Sequence, residues 1–142
     1  MSSALGERQV EDGIHALAQE RFGIERYWHR RLVADLPRVF ERVQQHFRAV
    51  AEITGAQLYA FAQRAAHEAG WTFSGAIAGH VVGEFSHNRW PGDKELMWIS
   101  AHNPASMQAP DHLGRERHWI LEIHLVDRAG GLRRVLRAAA VR

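Results

Sequence analysis

Three groups of residues have types and spacings suited to chemistry. Gly79-His80-Val81-Val82-Gly83 sets a histidine between glycines. Relaxed backbone crowding there lets a ring nitrogen approach a bound ion. His87 follows seven residues later and leads into Asn88-Arg89-Trp90-Pro91. Two histidines near one glycine-rich turn can face a single cavity. Glu122 and His124 sit in the apolar run His118–Asp127, HWILEIHLVD. In an extended strand their i, i+2 spacing puts both on one face. A carboxylate between Leu121 and Ile123, if buried, needs a metal, a cation or hydrogen-bond donors. Each group also has a plainer reading: His80 on a glycine-rich turn, His87 as a solvated loop residue, Glu122 and His124 on the solvated face of a strand. The arginine-rich end Leu132–Arg142 (LRRVLRAAAVR) reads as a basic amphipathic helix or, more simply, as a solvated tail.

The elements that must position these residues follow from periodicity. Val10, Ile14, Leu17 and Ala18 recur at helical spacing, so about Leu5 to Arg21 is expected to be an amphipathic helix that stops at Gly23. Glu25–Val33 (ERYWHRRLV) reads as a short strand. A second helix is expected from an N-cap at Asp35, with Pro37 in its first turn and Gly55 at its end. Its inward face is Val39, Phe40, Val43, Phe47, Val50 and Ala51. A third helix, Gln57–Ala69, turns Leu58, Phe61, Ala62 and Ala65 inward and stops at Gly70. The short connection makes these two helices packing neighbours. Trp71–His87 is rich in glycine and small residues. Asn88–Arg117 holds three of the four prolines and reads as a long irregular segment, of the kind that is usually functional or mobile. His118–Asp127 is the clearest strand. It alternates Trp119, Leu121, Ile123 and Leu125 on one face with Ile120, Glu122 and His124 on the other. After the turn at Arg128–Gly131, Leu132–Arg142 is a return strand or a short helix.

Composition bounds the rest. A chain of 142 residues, 46% hydrophobic and 24% charged, suits one globular domain. No apolar run is long enough for a membrane helix, and Met1–Gly13 lacks the apolar centre of a signal peptide, so a cytoplasmic location is expected. The chain has no cysteine, which excludes disulfides and thiolate metal sites. The net charge is only +2, although the pI is near 9.7. Nucleic acid is therefore not an expected partner, and neither is a membrane.

Taken together, the histidine and glutamate groups resemble a known order. A G-H-x-x-G turn, a histidine seven residues on that is soon followed by proline, and then a strand glutamate are similar to the C-terminal half of the pita-bread metallopeptidases. That creatinase-like family includes methionine aminopeptidase, aminopeptidase P and prolidase. The likeness runs from about Asp35 to Asp127, including Ala69-Gly70-Trp71 before the histidine turn. Met1–Val33 is similar to the stretch preceding the first catalytic strands in the Xaa-Pro branch. The resemblance implies an α+β fold with a curved antiparallel sheet covered by helices. It implies a divalent metal cofactor (Mn, Co, Fe or Zn), with His80 and Glu122 as metal ligands. It also implies that His87 is the catalytic, substrate-binding histidine and that a peptide is the substrate or ligand.

The pattern departs from the family where its aspartate ligands belong. Val33 runs through Ala34 straight into Asp35, so the strand pair carrying those aspartates is missing from this sequence. Gly130–Arg142, where the last family glutamate is expected, contains no acidic residue. Two of the five expected ligands can be assigned, and His124, beside Glu122, is a candidate third for a one-ion site. The resulting expectation is a single aminopeptidase-like domain over 1–142 with impaired or lost hydrolysis. The alternative is a non-catalytic remnant that binds a peptide or a protein. Sheet edges exposed by the missing pair make a homo-oligomer the expected state.

Overall fold

The computed structural model describes residues 6–22, 28–82, 95–111, 113–127 and 139–141. Its elements are α1 (Glu7–Phe22), α2 (Trp28–Ala49), α3 (Gly55–Glu68), β1 (Trp71–Phe73), β2 (Gly79–Val81), a 3-10 turn (Glu95–Met97), β3 (Trp119–Glu122), β4 (Leu125–Asp127) and β5 (Ala139–Val141). The class is α+β: three helices with two small antiparallel sheets.

The helices depart from expectation in instructive ways. Trp28–Val33 is helical rather than extended, and Asp35 and Pro37 both lie inside α2 instead of at its start. The reason is a buried stripe that runs back through the expected cap. Leu32, Leu36, Val39 and Val43, at helical spacing, are all 8% exposed or less. Burial of four large aliphatic groups, about 1.5–3 kcal/mol each, outweighs the cost of roughly 3 kcal/mol for proline in a helix interior. Pro37 sits on the solvated side of α2, as does Val33, whose carbonyl loses the proline's missing donor. Asp35 is used differently too. It accepts from the Trp71 indole at 3.0 Å and stands 3.8 Å and 3.9 Å from Arg31 and Arg38.

Gly55 does not end α2, which stops at Ala49; it opens α3. Thr54 caps α3 through a reciprocal box with Gln57. Gly55 is buried against Asn103, whose side chain leaves no room for a β-carbon. Ala62, Ala65 and Ala66 are small enough to let α3 close on Trp71, and all are buried. α2 packs on α3, as the short connection implies, and α3 on β1. Helix α1 forms as expected, but its stripe of Val10, Ile14 and Leu17 is exposed rather than packed.

The expected strand His118–Asp127 keeps its alternation but is broken at Ile123–His124. β3 pairs with β2 and β5, whereas β4 pairs with β1 in the other sheet. The core face holds Trp119, Leu121, Ile123 and Leu125, each no more than 8% exposed. Of the residues expected to form a return strand or helix, Ala139–Val141 are strand and 128–138 lie outside the described residues. The described part of the irregular segment is organised by Asn103, which is buried. Its amide donates to the Trp98 carbonyl at 2.8 Å, and its oxygen accepts from Ala105 N–H at 3.0 Å. This pins the segment so that Ile99 exchanges backbone hydrogen bonds with Ala78 and Gly79 along the free edge of β2.

Candidate functional site

Register brings His80 and Glu122 to one side of the β2–β3–β5 sheet, and His124, in the break between β3 and β4, stands beside Glu122. Gly79 pairs with Leu121 and His80 with Ile120, so His80 shares the face opposite the core with Ile120 and Glu122. The close approach needs glycine. Gly79 has φ +137°, and a β-carbon there would collide with the Ile120 carbonyl oxygen. The Glu122 N–H donates to Ala78 O at 2.8 Å, which locks the strand offset. His80 and Glu122 are therefore diagonal neighbours on adjacent strands.

The Nδ1 atom of His80 lies 3.0 Å from the Val81 carbonyl. A carbonyl only accepts, so Nδ1 is the donor in this contact, and in the neutral ring the lone pair is then on Nε2. That is the tautomer used by imidazoles that bind through Nε2.

His124 is held more tightly. Its ring stacks on Phe73 at 6.1 Å with planes 25° apart, and Tyr59 meets Phe73 edge-on at 5.7 Å. The Tyr59 hydroxyl donates to Gly75 O at 2.8 Å, and a β-carbon at Gly75 would press within 3.2 Å of His124 Nδ1. Backbone bonding adds to this, since Ser74 N–H donates to His124 O. Tyr59, Phe73 and Gly75 form this cradle. The sequence does not single them out, because only tertiary pairing of β1 with β4 puts them beside His124. The single hint was the aromatic-then-glycine run Trp71–Gly75.

Nε2 of His124 is buried and has no hydrogen-bond partner among the described residues. It lies 3.7 Å from Glu122 Oε2, beyond hydrogen-bond length but close enough for attraction when the ring is charged. Both side chains are mostly buried, at 12% and 18% exposed. An unpaired buried nitrogen costs about 1–3 kcal/mol, so this pair gains most from a group that bridges it.

Among the described residues, no group of three or more His, Asp or Glu is arranged to hold a metal ion. His87, expected as the catalytic and substrate-binding histidine, lies outside the described residues. The donors that are described, two imidazoles and one carboxylate, do not fit a two-ion centre, which needs bridging carboxylates to hold its ions about 3.5–4 Å apart. No helix among the described residues is long and apolar enough to cross a membrane. Comparison with family models, curated proteins and solved structures gives no match.

Proposed function

We propose that the chain is a metallo-aminopeptidase-like protein of pita-bread type, related to the Xaa-Pro peptidases, in which peptide hydrolysis is impaired or lost. One observation supports the reading: His80 and Glu122 share a sheet face in the chain order that the resemblance implies, with His124, the candidate third ligand, 3.7 Å from Glu122. The α+β class, with α3 packed on one small antiparallel sheet and α2 touching the other, is compatible with that lineage.

The same face explains the loss. Metal-assisted peptide hydrolysis needs an ion to polarise the scissile carbonyl and to lower the pKa of a bound water. Three protein ligands, with a position left open for water, are the usual minimum for a catalytic ion. Here Glu122 is engaged sideways by His124, and His80 reaches the face from the neighbouring strand. The side chains that remain can orient a peptide's polar groups.

The test is release of N-terminal residues from short peptides, Xaa-Pro sequences included, with Mn²⁺ or Co²⁺ and followed by mass spectrometry. The expected result is no metal-dependent release. Turnover at an ordinary enzyme rate of about 1 s⁻¹ or faster, abolished by Glu122→Gln, would refute it.

A second reading, a non-catalytic binding module, is favoured by the two-stranded β1–β4 sheet. Among the described residues it has no third strand on either side, and an extended peptide can add to such an edge. Peptide binding that is unchanged by chelator and by Glu122→Gln would favour this reading over the first.

A further inference from the structure

We propose that the cleft between the end of α2 and the approach to β3 is a second ligand site, for a small apolar group carrying a carboxylate. It is independent of the face just described. Trp119 lines it and belongs to the core face of β3, opposite Glu122.

The cleft measures about 260 Å³. That is below the roughly 300–1,000 Å³ of drug- and cofactor-sized pockets, so it suits one amino-acid-sized group rather than a large cofactor. Its floor is apolar. Met107 is 1% exposed and Trp119 4%. The Trp119 indole N–H donates to Met107 O at 2.9 Å. That bond consumes the indole donor and leaves only ring surface to a guest. Phe47, half-buried, supplies a side wall. Water over such a floor is displaced favourably by an aliphatic side chain.

The rim is cationic. Arg48 is exposed at the last turn of α2, and Arg117 is half-buried on the opposite wall. Among the described residues, neither guanidinium has a carboxylate within 4.0 Å. The one polar contact of the Arg117 side chain among the described residues is a long one, 3.4 Å to Leu96 O. Among the described residues Glu116 is the only acid lining the cleft, against two arginines and His118. The balance therefore favours an anion, and the planar fork of an arginine matches a carboxylate best. An apolar floor beneath a guanidinium rim selects a branched side chain joined to a carboxylate. Both a free acyl-amino acid and the C-terminal residue of a peptide have this chemistry.

The experiment is titration of ¹⁵N-labelled protein with N-acetyl-leucine, N-acetyl-leucinamide and N-acetyl-Gly-Gly-Leu. It is read at the Trp119 indole, assigned with Trp119→Phe, and at the backbone of 107–108 and 116–118. N-acetyl-leucine is expected to shift these signals, and the amide to bind at least about tenfold more weakly, as loss of a charge-assisted hydrogen bond implies. Arg48→Gln and Arg117→Gln should each weaken binding by about tenfold, with Trp119 signals unchanged before ligand is added. Glu116→Gln, on an exposed side chain, should tighten it. Tighter binding of the tripeptide assigns the site to peptide C-termini; equal or weaker binding assigns it to free acids. Three results would overturn the proposal: no shift at millimolar ligand, equal binding of acid and amide, or wild-type affinity in both folded arginine variants.

Discussion

Asn103→Ala tests how the irregular segment is held, and its effect can be worked from the hydrogen bonds. The wild-type side chain donates to Trp98 O at 2.8 Å and accepts from Ala105 N–H at 3.0 Å; a third contact, to Leu96 O, is long at 3.4 Å. Asn103 is 1% exposed, so alanine leaves a carbonyl and an N–H without partners in a dry place. Each orphan costs about 1–3 kcal/mol, giving roughly 2–6 kcal/mol against a total stability of about 5–15 kcal/mol. For a chain of this size the melting temperature should fall by on the order of 10 °C. The space beside Gly55, which Asn103 fills, adds a cavity contribution of the same sign. The assay is urea unfolding followed by circular dichroism, with hydrogen exchange at Ala56 and Ala105 as a local readout. Asn103→Asp should be no better near neutral pH, because it sets an acceptor against the Trp98 carbonyl. A change below about 0.5 kcal/mol for Asn103→Ala, with unaltered exchange at Ala105, would refute the argument.

Gly79→Ala should abolish the native β2–β3 pairing, because the added carbon meets the Ile120 carbonyl at a positive φ; loss of the cooperative unfolding transition is the readout, and a wild-type urea midpoint contradicts it. Thr54→Ala removes the α3 capping box and should cost about 1 kcal/mol in urea unfolding, with Thr54→Ser retaining most of it. His46 stacks on Phe61 at 3.7 Å, and burial, followed by the charge of Arg64, holds its pKa below the usual 6.5. The folded state then binds fewer protons than the unfolded chain, so stability is full above pH 6.5 and declines as pH falls through that value toward the folded pKa. His46→Phe should flatten that decline; an unchanged acid limb in stability against pH would show that His46 does not cause it.

The face of Glu122 and His124 was legible because strand periodicity is local. The alternation through HWILEIHLVD survives even though the strand breaks after Glu122. The break was not legible, because it arises where the two halves find partners in different sheets, a long-range choice. The start of α2 was misplaced because Asp35 and Pro37 are strong local start signals. The buried stripe Leu32–Leu36–Val39–Val43 overrides them through contacts that only the folded chain supplies. The cradle around His124 and the arginine-rimmed cleft were invisible for a similar reason. Tyr59, Phe73 and Gly75 meet His124 across elements, and Arg48 and Arg117 are 69 positions apart in the sequence.

On the proposed function, the sheet face of His80 and Glu122 is related to a two-ion peptidase centre but does not hold one, even with His124 beside it. Elemental analysis of the protein after reconstitution with excess Mn²⁺ or Co²⁺ and removal of free metal measures this directly. Fewer than two ions per chain is the predicted result. Two tightly held ions per chain, lost on His80→Ala or Glu122→Gln, would contradict it.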